Sequence, residues 1–332
     1  MSKLIVFDAD SIIFTVAWKF RTKKTTNLVR INTNKFITDV LTMTGADDYI
    51  GFYADKDSDA KPNFRYDIAS DYKAKRPDTP DFVVKWGETI TNEFRDTWGF
   101  IPVQGMEADD AVAMTVEKYK NDYNEIIVAT FDKDLKQIPN TTWYNMKNHK
   151  SEVISKFDAA KHFYIQQLMG DTTDNITGLY GIGIKTAEKI LKPCTTEYSL
   201  FRRTVVEYIN TRKKLEEKEL ATITADIKQK LQDLDQDTLD EYSKLSDAHF
   251  NRKVRINSKE QVDEMLDTIF PGGWKEYYKQ QNTLLKLLTK APDNFIIPEV
   301  QESPVRSLVE DNTDANVDEI IKQSELDDFL TV

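Results

Sequence analysis

Sulfur and imidazole are scarce in this 332-residue sequence, which holds one cysteine, Cys194, and three well-separated histidines, His149, His162 and His249. One thiol excludes a disulfide framework and any zinc site built on several thiolates, and three scattered imidazoles argue against a histidine-rich centre. Long apolar runs are also missing. The stretch from Leu4 to Phe7 is too short for a signal peptide, and nothing approaches the ~20 residues that span a bilayer, so a cytoplasmic protein is expected. Any metal must be held by carboxylates, which favours hard ions such as Mg2+ or Mn2+.

A net basic charge is lacking too: the formal value is −11. The excess is uneven, because residues 298–332 carry ten acids and two bases, a net of −8, which leaves the other 297 residues near −3. Local basic segments decide phosphate affinity, so the overall balance does not exclude nucleic acid.

What is present is an alternation of strand-like and helix-like patterns. Lys3–Phe7, Tyr49–Ala54, Phe100–Val103 and Glu125–Thr130 read as buried strands. Asn34–Thr44, Phe82–Trp98, Glu107–Tyr119 and Lys156–Gly170 read as helices. The alternation predicts an α/β domain with a doubly wound, mostly parallel sheet, whose site lies beyond the carboxyl ends of its strands. Three of these strands run into aspartates: Asp8, Asp55, and the pair Asp132 and Asp134. The polar, basic stretch 56–80 has no sustained apolar face. Residues 200–290 read as mostly helical, and Pro292, Pro298 and Pro304 introduce an acidic remainder expected to be disordered.

The candidate acids are Asp8, Asp55, Glu107, Asp109, Asp110, Asp132, Asp134, Asp171 and Asp174. Asp132 and Asp134, two apart, share a side of extended backbone, Glu107 with Asp110, three apart, share a helix face, and Asp171 with Asp174 have the same spacing. Each pair taken alone reads as a helix cap or a turn. Gathered at one sheet edge they would repel strongly without cations, and two Mg2+ ions roughly 4 Å apart would neutralise them while activating a water for in-line displacement.

Five stretches, Ile5-Val-Phe-Asp-Ala-Asp-Ser-Ile, Asn63-Phe-Arg with Asp71-Tyr-Lys-Ala-Lys-Arg76, Met106-Glu-Ala-Asp-Asp110, Thr130-Phe-Asp-Lys-Asp-Leu135, and Gly170-Asp-Thr-Thr-Asp-Asn-Ile176 running into Gly178-Leu-Tyr-Gly-Ile-Gly-Ile-Lys-Thr-Ala187, occur in series. Together they resemble the flap endonuclease and 5′→3′ exonuclease family, which includes small bacteriophage nucleases and the nuclease domain of bacterial DNA polymerase I. The resemblance implies a PIN-like fold with a first metal on Asp8, Asp55, Glu107 and Asp109. It implies a second near Asp132, Asp134 and Asp174, with Asp110 and Asp171 in support. Asp55, Asp57 and Asp59 compete for one position, and Asp55 is chosen because it directly follows its strand; Asp10 is set aside as a polar turn residue.

Lys61, Arg65, Lys73, Lys75 and Arg76 form a basic segment interleaved with Tyr66 and Tyr72, a composition that suits phosphate grip and base stacking next to a metal site. The resemblance implies a helical arch over about residues 56–95, in which Lys73 and Arg76 polarise the scissile phosphate and Tyr72 stacks, with Arg65 also contacting DNA. Gly178 to Lys185 resembles a helix–hairpin–helix. There Gly181 and Gly183 let backbone amides approach a phosphate and Lys185 adds charge; the family implies a K+ ion on its carbonyls. At the end of the chain, Gln323, Leu326, Phe329 and Leu330 are spaced like a sliding-clamp-binding peptide on an acidic tether.

The expected organisation is a catalytic domain over 1–165, a helical DNA-binding domain over 166–297 and a tail over 298–332. The expected function is a monomeric structure-specific 5′ nuclease acting on branched or 5′-ended DNA or RNA–DNA, ribonuclease H-like activity included. The alternatives are a PIN-type ribonuclease, which needs neither arch nor hairpin, and a non-catalytic DNA-binding accessory protein.

Overall fold

The apolar run after Lys3 becomes the buried strand β1 (Lys3–Asp8), and the α/β layers are arranged around it. Ile5 and Phe7 enter the core on one side while Leu4 and Val6 enter the core on the other, the alternation that a strand covered on both faces requires. The computed structural model describes residues 2–22, 25–55, 62–179, 181–212, 281–289 and 295–305.

Beside β1 lie β2 (Asp48–Ala54) and β4 (Glu125–Thr130); β3 (Ile101–Val103), β5 (Thr141–Asn145) and β6 (Lys150–Ile154) complete the order β3-β2-β1-β4-β5-β6. All pairings along this row are parallel except β5 with β6. The order reverses at β1, so a crevice opens beyond the carboxyl ends of β1 and β4.

One face is covered by α1 (Ala9–Lys19), α2 (Thr26–Thr44) and α4 (Asp81–Asp96), the other by α5 (Ala108–Tyr119). The patterning missed α1, because Ile12, Ile13, Val16 and Ala17 continue the apolar β-branched run of β1. It also began α2 late, at Asn34, although its end at Gly45, left-handed at φ +60°, was legible. The hairpin of β5 and β6 was missed outright. Among the described residues, no helix is long and apolar enough to cross a membrane.

The expected arch over 56–95 is shortened from its far end. Val83, Trp86, Ile90 and Phe94 of α4 are buried in the sheet core, which makes 81–95 a layer helix. Residues 56–61 lie outside the described residues. The remaining stretch, 62–80, with the single turn α3 (Arg65–Ile68), is pinned down. Arg65, read as a DNA contact, is 1% exposed and donates to both carboxylate oxygens of Asp110 at 2.6 and 2.9 Å. It also donates to the carbonyls of Leu284 and Lys286, and the Leu288 N–H donates to Asp110 at 2.9 Å. A buried guanidinium is tolerated only because its donors are satisfied this completely.

The expected domain boundary at 165/166 falls inside α6 (Lys156–Met169). This helix shares a core of Leu168, Ala187, Leu191 and Leu200 with α7 (Ile184–Leu191) and α8 (Glu197–Arg212). The tail expected from 298 starts with structure. There β9 (Gln301–Glu302) pairs antiparallel with Asp48 and Tyr49 of β2. The proposed clamp residues Gln323, Leu326, Phe329 and Leu330 lie outside the described residues.

Removing one member of the buried pair strands the other. Asp110→Ala is expected to cost about 3–5 kcal/mol in a urea melt, and the Arg65→Met/Asp110→Leu double variant to recover most of it. A loss below about 1 kcal/mol for Asp110→Ala would show instead that water reaches the guanidinium.

Candidate metal centre at the carboxyl edge of the sheet

β1 ends in Asp8, a carboxylate only 3% exposed. Its Oδ2 accepts from the Ser11 hydroxyl at 2.5 Å and from the Thr130 hydroxyl at 2.6 Å, while Oδ1 is buried without a hydrogen-bond partner among the described residues. Burial pushes this carboxyl above its ordinary range, against the pull of the two hydroxyls.

Around it gather acids from the ends of other elements. Asp109, in the first turn of α5, is raised well above the usual range by burial and then by Asp8, Asp132 and Glu107. Asp132 sits at the exposed rim, where the surrounding protein still displaces enough water to raise it, helped by Asp8, Asp174 and Asp171. Asp134 is pushed up to about 8, chiefly by burial, then by Asp132, Asp171 and Asp174, against a 2.5 Å hydrogen bond from Gln166. The backbone here is a bend entering a single 3₁₀ turn, Asp134–Gln137, so the two aspartates are not aligned by an extended strand as expected. The Asp134 N–H instead donates to Asp132 Oδ1 at 2.8 Å.

Asp171 and Asp174 arrive on the loop between β7 (Gly170–Asp171) and β8 (Ile176–Thr177). This loop needs two glycines. A side chain at Gly170 would lie 2.2 Å from the Gly178 nitrogen, and one at Gly178 would lie 2.0 Å from the Met169 carbonyl. Asp171 Oδ1 accepts the Thr173 and Asp174 N–H groups, which fixes the turn.

Asp174 meets the basic segment. Its Oδ2 accepts from the Tyr72 hydroxyl at 2.8 Å, its Oδ1 pairs with Arg76, and its backbone carbonyl accepts the Lys73 N–H. Lys73, left-handed at φ 59°, sends its ammonium to Glu107 and lies 3.9 Å from Asp174 Oδ2. Glu107 is also 2.9 Å from the Asn63 amide and 3.1 Å from the Tyr72 hydroxyl. Tyr72 is 3% exposed, and burial beside Glu107 and Asp174 raises its phenol strongly. The expectation of a stacking Tyr72 is therefore corrected: the ring is buried among Ile176, Leu284 and Leu285.

Three further acids have partners of their own. Asp110 is committed to Arg65, the Leu288 N–H and the Glu107 N–H, so its lone pairs are taken and it is not available as a ligand. Asp55, beyond β2, accepts from the Gln104 amide at 2.7 Å. Asp10, set aside in the sequence, accepts the Ala54 N–H at 3.1 Å and so sits between the ends of β1 and β2. At the hairpin, Gly181 is left-handed at φ +75°, Gly183 caps α7, and Lys185 is exposed on its first turn. Arg203 is buried and pairs with Glu207. His162 is a packing residue whose imidazole burial pushes down to about 4.

Among the described residues no group of three or more acids, cysteines or histidines is drawn tightly enough to hold an ion as it stands. What the fold assembles is a looser crowd with hard oxygen donors, and a buried Asp8 oxygen that no group among the described residues satisfies. Both fit a divalent cation such as Mg2+ or Mn2+. Sequence reasoning found the acids. It did not give the supporting role of Ser11, Thr130, Asn63 and Gln166, the neutral donors that hold them, because which acid each one meets is set only by the fold.

The family description "5′-3′ exonuclease, N-terminal resolvase-like domain" matches residues 3–164. Over its first half the chain is similar to the 5′-3′ exonuclease family. Curated relatives include a DNA polymerase I from Caldicellulosiruptor bescii, 28% identical over 70% of this chain and 30% of its own. A 5′-3′ exonuclease from Aquifex aeolicus is 32% identical over 39% of this chain and 47% of its own. The chain thus spans less than half the length of these two relatives. A solved T5 5′-exonuclease with bound zinc is 18% identical, covers 68% of this chain and 97% of its own, and aligns at a TM-score of 0.48.

An acid raised in the folded state contributes stability that is lost as pH rises through its folded value. Above about pH 6.5, where His162 is neutral in both states, Asp134 and its neighbours should make the EDTA-treated protein less stable up to about pH 8. Differential scanning fluorimetry should show the melting temperature falling across this window and Mn2+ restoring it. Thr130→Ala should weaken the Mn2+ effect by about 10- to 100-fold in concentration. A flat apo profile that Mn2+ does not move would remove the metal site.

Proposed function

We propose that this protein is a metal-dependent, structure-specific 5′ nuclease that hydrolyses phosphodiester bonds in branched or 5′-ended DNA or RNA–DNA. The observation that carries the reading is the convergence of Asp8, Glu107, Asp109, Asp132, Asp134, Asp171 and Asp174 on one sheet edge, with Lys73 and Arg76 seated on two of them. The similarity of residues 3–164 to the 5′-3′ exonuclease N-terminal domain supports it.

When bound, one or two hard divalent cations supply a water of lowered pKa and charge neutralisation for an in-line displacement. Asp8 Oδ1, Asp109, Asp132 and Asp134 are the oxygens we assign to hold them, and Glu107 and Asp174 join once they exchange their present partners. Lys73 and Arg76, so released, are free to grip the scissile phosphate, the point charge and the forked donor complementing each other. Tyr72 stays behind as a positioning residue, its hydroxyl bridging Glu107 and Asp174. Ser11 and Thr130 keep the second Asp8 oxygen oriented.

We assign Gly178–Lys185 to backbone-amide contact with the duplex, with K+ as the ion its carbonyls would take, and the Gln323–Leu330 peptide to a sliding clamp. A monomer working in the cytoplasm of a cell that replicates the DNA completes the proposal.

A 5′-labelled flap duplex incubated with Mg2+ is expected to yield short 5′ products, with cutting abolished by Asp132→Asn and Asp174→Asn. Lys73→Ala should slow cutting in single turnover while leaving metal-induced thermal stabilisation in place. Wild-type protein that leaves the flap intact while it cuts single-stranded RNA would defeat the proposal.

A further inference from the structure

The outer face of α1 carries two large aromatics left half exposed among the described residues: Phe14 is 49% and Trp18 50% exposed. They are four residues apart and therefore adjacent on the helix, with ring centroids 6.2 Å apart and planes within 22°. Phe82, from the first turn of α4, meets Trp18 edge-on at 5.4 Å and Phe14 at 6.1 Å, holding both rings upright. The Arg21 guanidinium lies 5.0 Å from the Trp18 centroid and extends the row of planar groups. Burial of Phe14 and Trp18 would be the ordinary outcome for such residues, so their clustered exposure calls for an occupant.

The charge around the row identifies its chemistry. Lys19 and Arg21 follow Trp18 in the chain, Lys85 lies one turn beyond Phe82 on α4, and residues 11–22 contain no acid at all. Among the described residues none of these three cations pairs with a carboxylate. Lys19 donates to the Asn32 side-chain oxygen, Arg21 to the Trp18 carbonyl, and Lys85 lies over Trp86. Asp81, beside Phe82, is the one acid at the first turn of α4. Aromatic rings interleaved with unneutralised cations suit an anionic strand with accessible bases, and a duplex, whose bases are stacked inside, cannot use them.

Position gives the patch a role. α1 starts directly after Asp8, so Phe14 and Trp18 stand about 9 and 15 Å along the helix axis from the carboxylates. We propose that this row on α1 and α4 is a stacking platform for single-stranded nucleic acid, holding the unpaired 5′ strand of the substrate beside the centre. The proposal deepens the nuclease reading and rests on it for the identity of the strand.

The test is fluorescence anisotropy on the full-length chain in EDTA, where binding is read without cutting. The probes are a labelled duplex with a 5′ oligo-dT tail, its oligo-U counterpart and the same duplex with blunt ends. Phe14→Ala/Trp18→Ala is expected to weaken binding of the tailed duplexes by about tenfold and to leave the blunt duplex unchanged, with Trp18→Phe recovering most of the loss. The two tails distinguish DNA from RNA. Should the double variant melt early, Arg21→Glu/Lys85→Glu must produce the same selective loss with a reduced salt dependence. Equal loss on tailed and blunt probes, or no loss on either, overturns the platform; the second result would leave a protein partner as the occupant. Asp132→Asn is expected to keep the tail preference. Tail binding that depends on Trp18 in a wild-type protein that never cuts would defeat the nuclease reading and leave the platform standing.

Discussion

Like charges drawn to one end of a parallel sheet must be neutralised, shared out or protonated, and the architecture around β1 answers that constraint. The topological reversal at β1 brings Asp8 and Asp132 close to each other, and α5 delivers Glu107 and Asp109 to the same crevice. Hydroxyls from Ser11 and Thr130 stabilise one Asp8 oxygen, amides from Asn63 and Gln166 serve Glu107 and Asp134, and the cations of Lys73 and Arg76 offset Glu107 and Asp174. Among the described residues one Asp8 oxygen is left over. In a low-dielectric crevice such an oxygen is costly unless a proton or a cation joins it.

The adjacent residues Asp109 and Asp110 show how local geometry divides labour. Consecutive helix positions face directions about 100° apart, so one carboxylate enters the acidic crowd and the other turns to Arg65 on the opposite side. Asp110 closes a capping box with Glu107 while it neutralises a guanidinium in the interior. The pair joins the basic segment, the start of α5 and the stretch 281–289, three parts of the chain that no local pattern connects. Lys73 and Arg76 project toward the acids because their segment is anchored at Arg65.

Much of the sheet was legible because parallel strands buried on both faces read as apolar runs bounded by polar residues, and Lys3, Tyr49 and Glu125 each open such a run. The acids were legible for the same reason: they stand where those runs stop. α1 was not, since Ile12, Ile13 and Val16 look like more strand until the helix is seen to start at Asp8 itself. Arg65 and Tyr72 were misread as solvent-facing because their burial depends on residues 284–288, more than 200 positions away. A basic, aromatic segment reads the same whether its side chains grip a ligand or fill the interior. Only the distant partner decides.

The pairing of β9 with the outer end of β2 has a bearing on how the protein is made. Asp48 and Tyr49 have their backbone partners at Glu302 and Gln301, about 250 residues later in translation. Domains emerging from the ribosome generally fold amino-terminal part first, so this edge of the sheet stays without its strand through most of synthesis. During that interval Arg65 has Asp110 but lacks the carbonyls of Leu284 and Lys286. The nascent sheet must therefore wait, partly unclosed, until the last segment arrives, and an open strand edge of that kind is where a growing chain is most exposed to capture by a chaperone or to pairing with its neighbour.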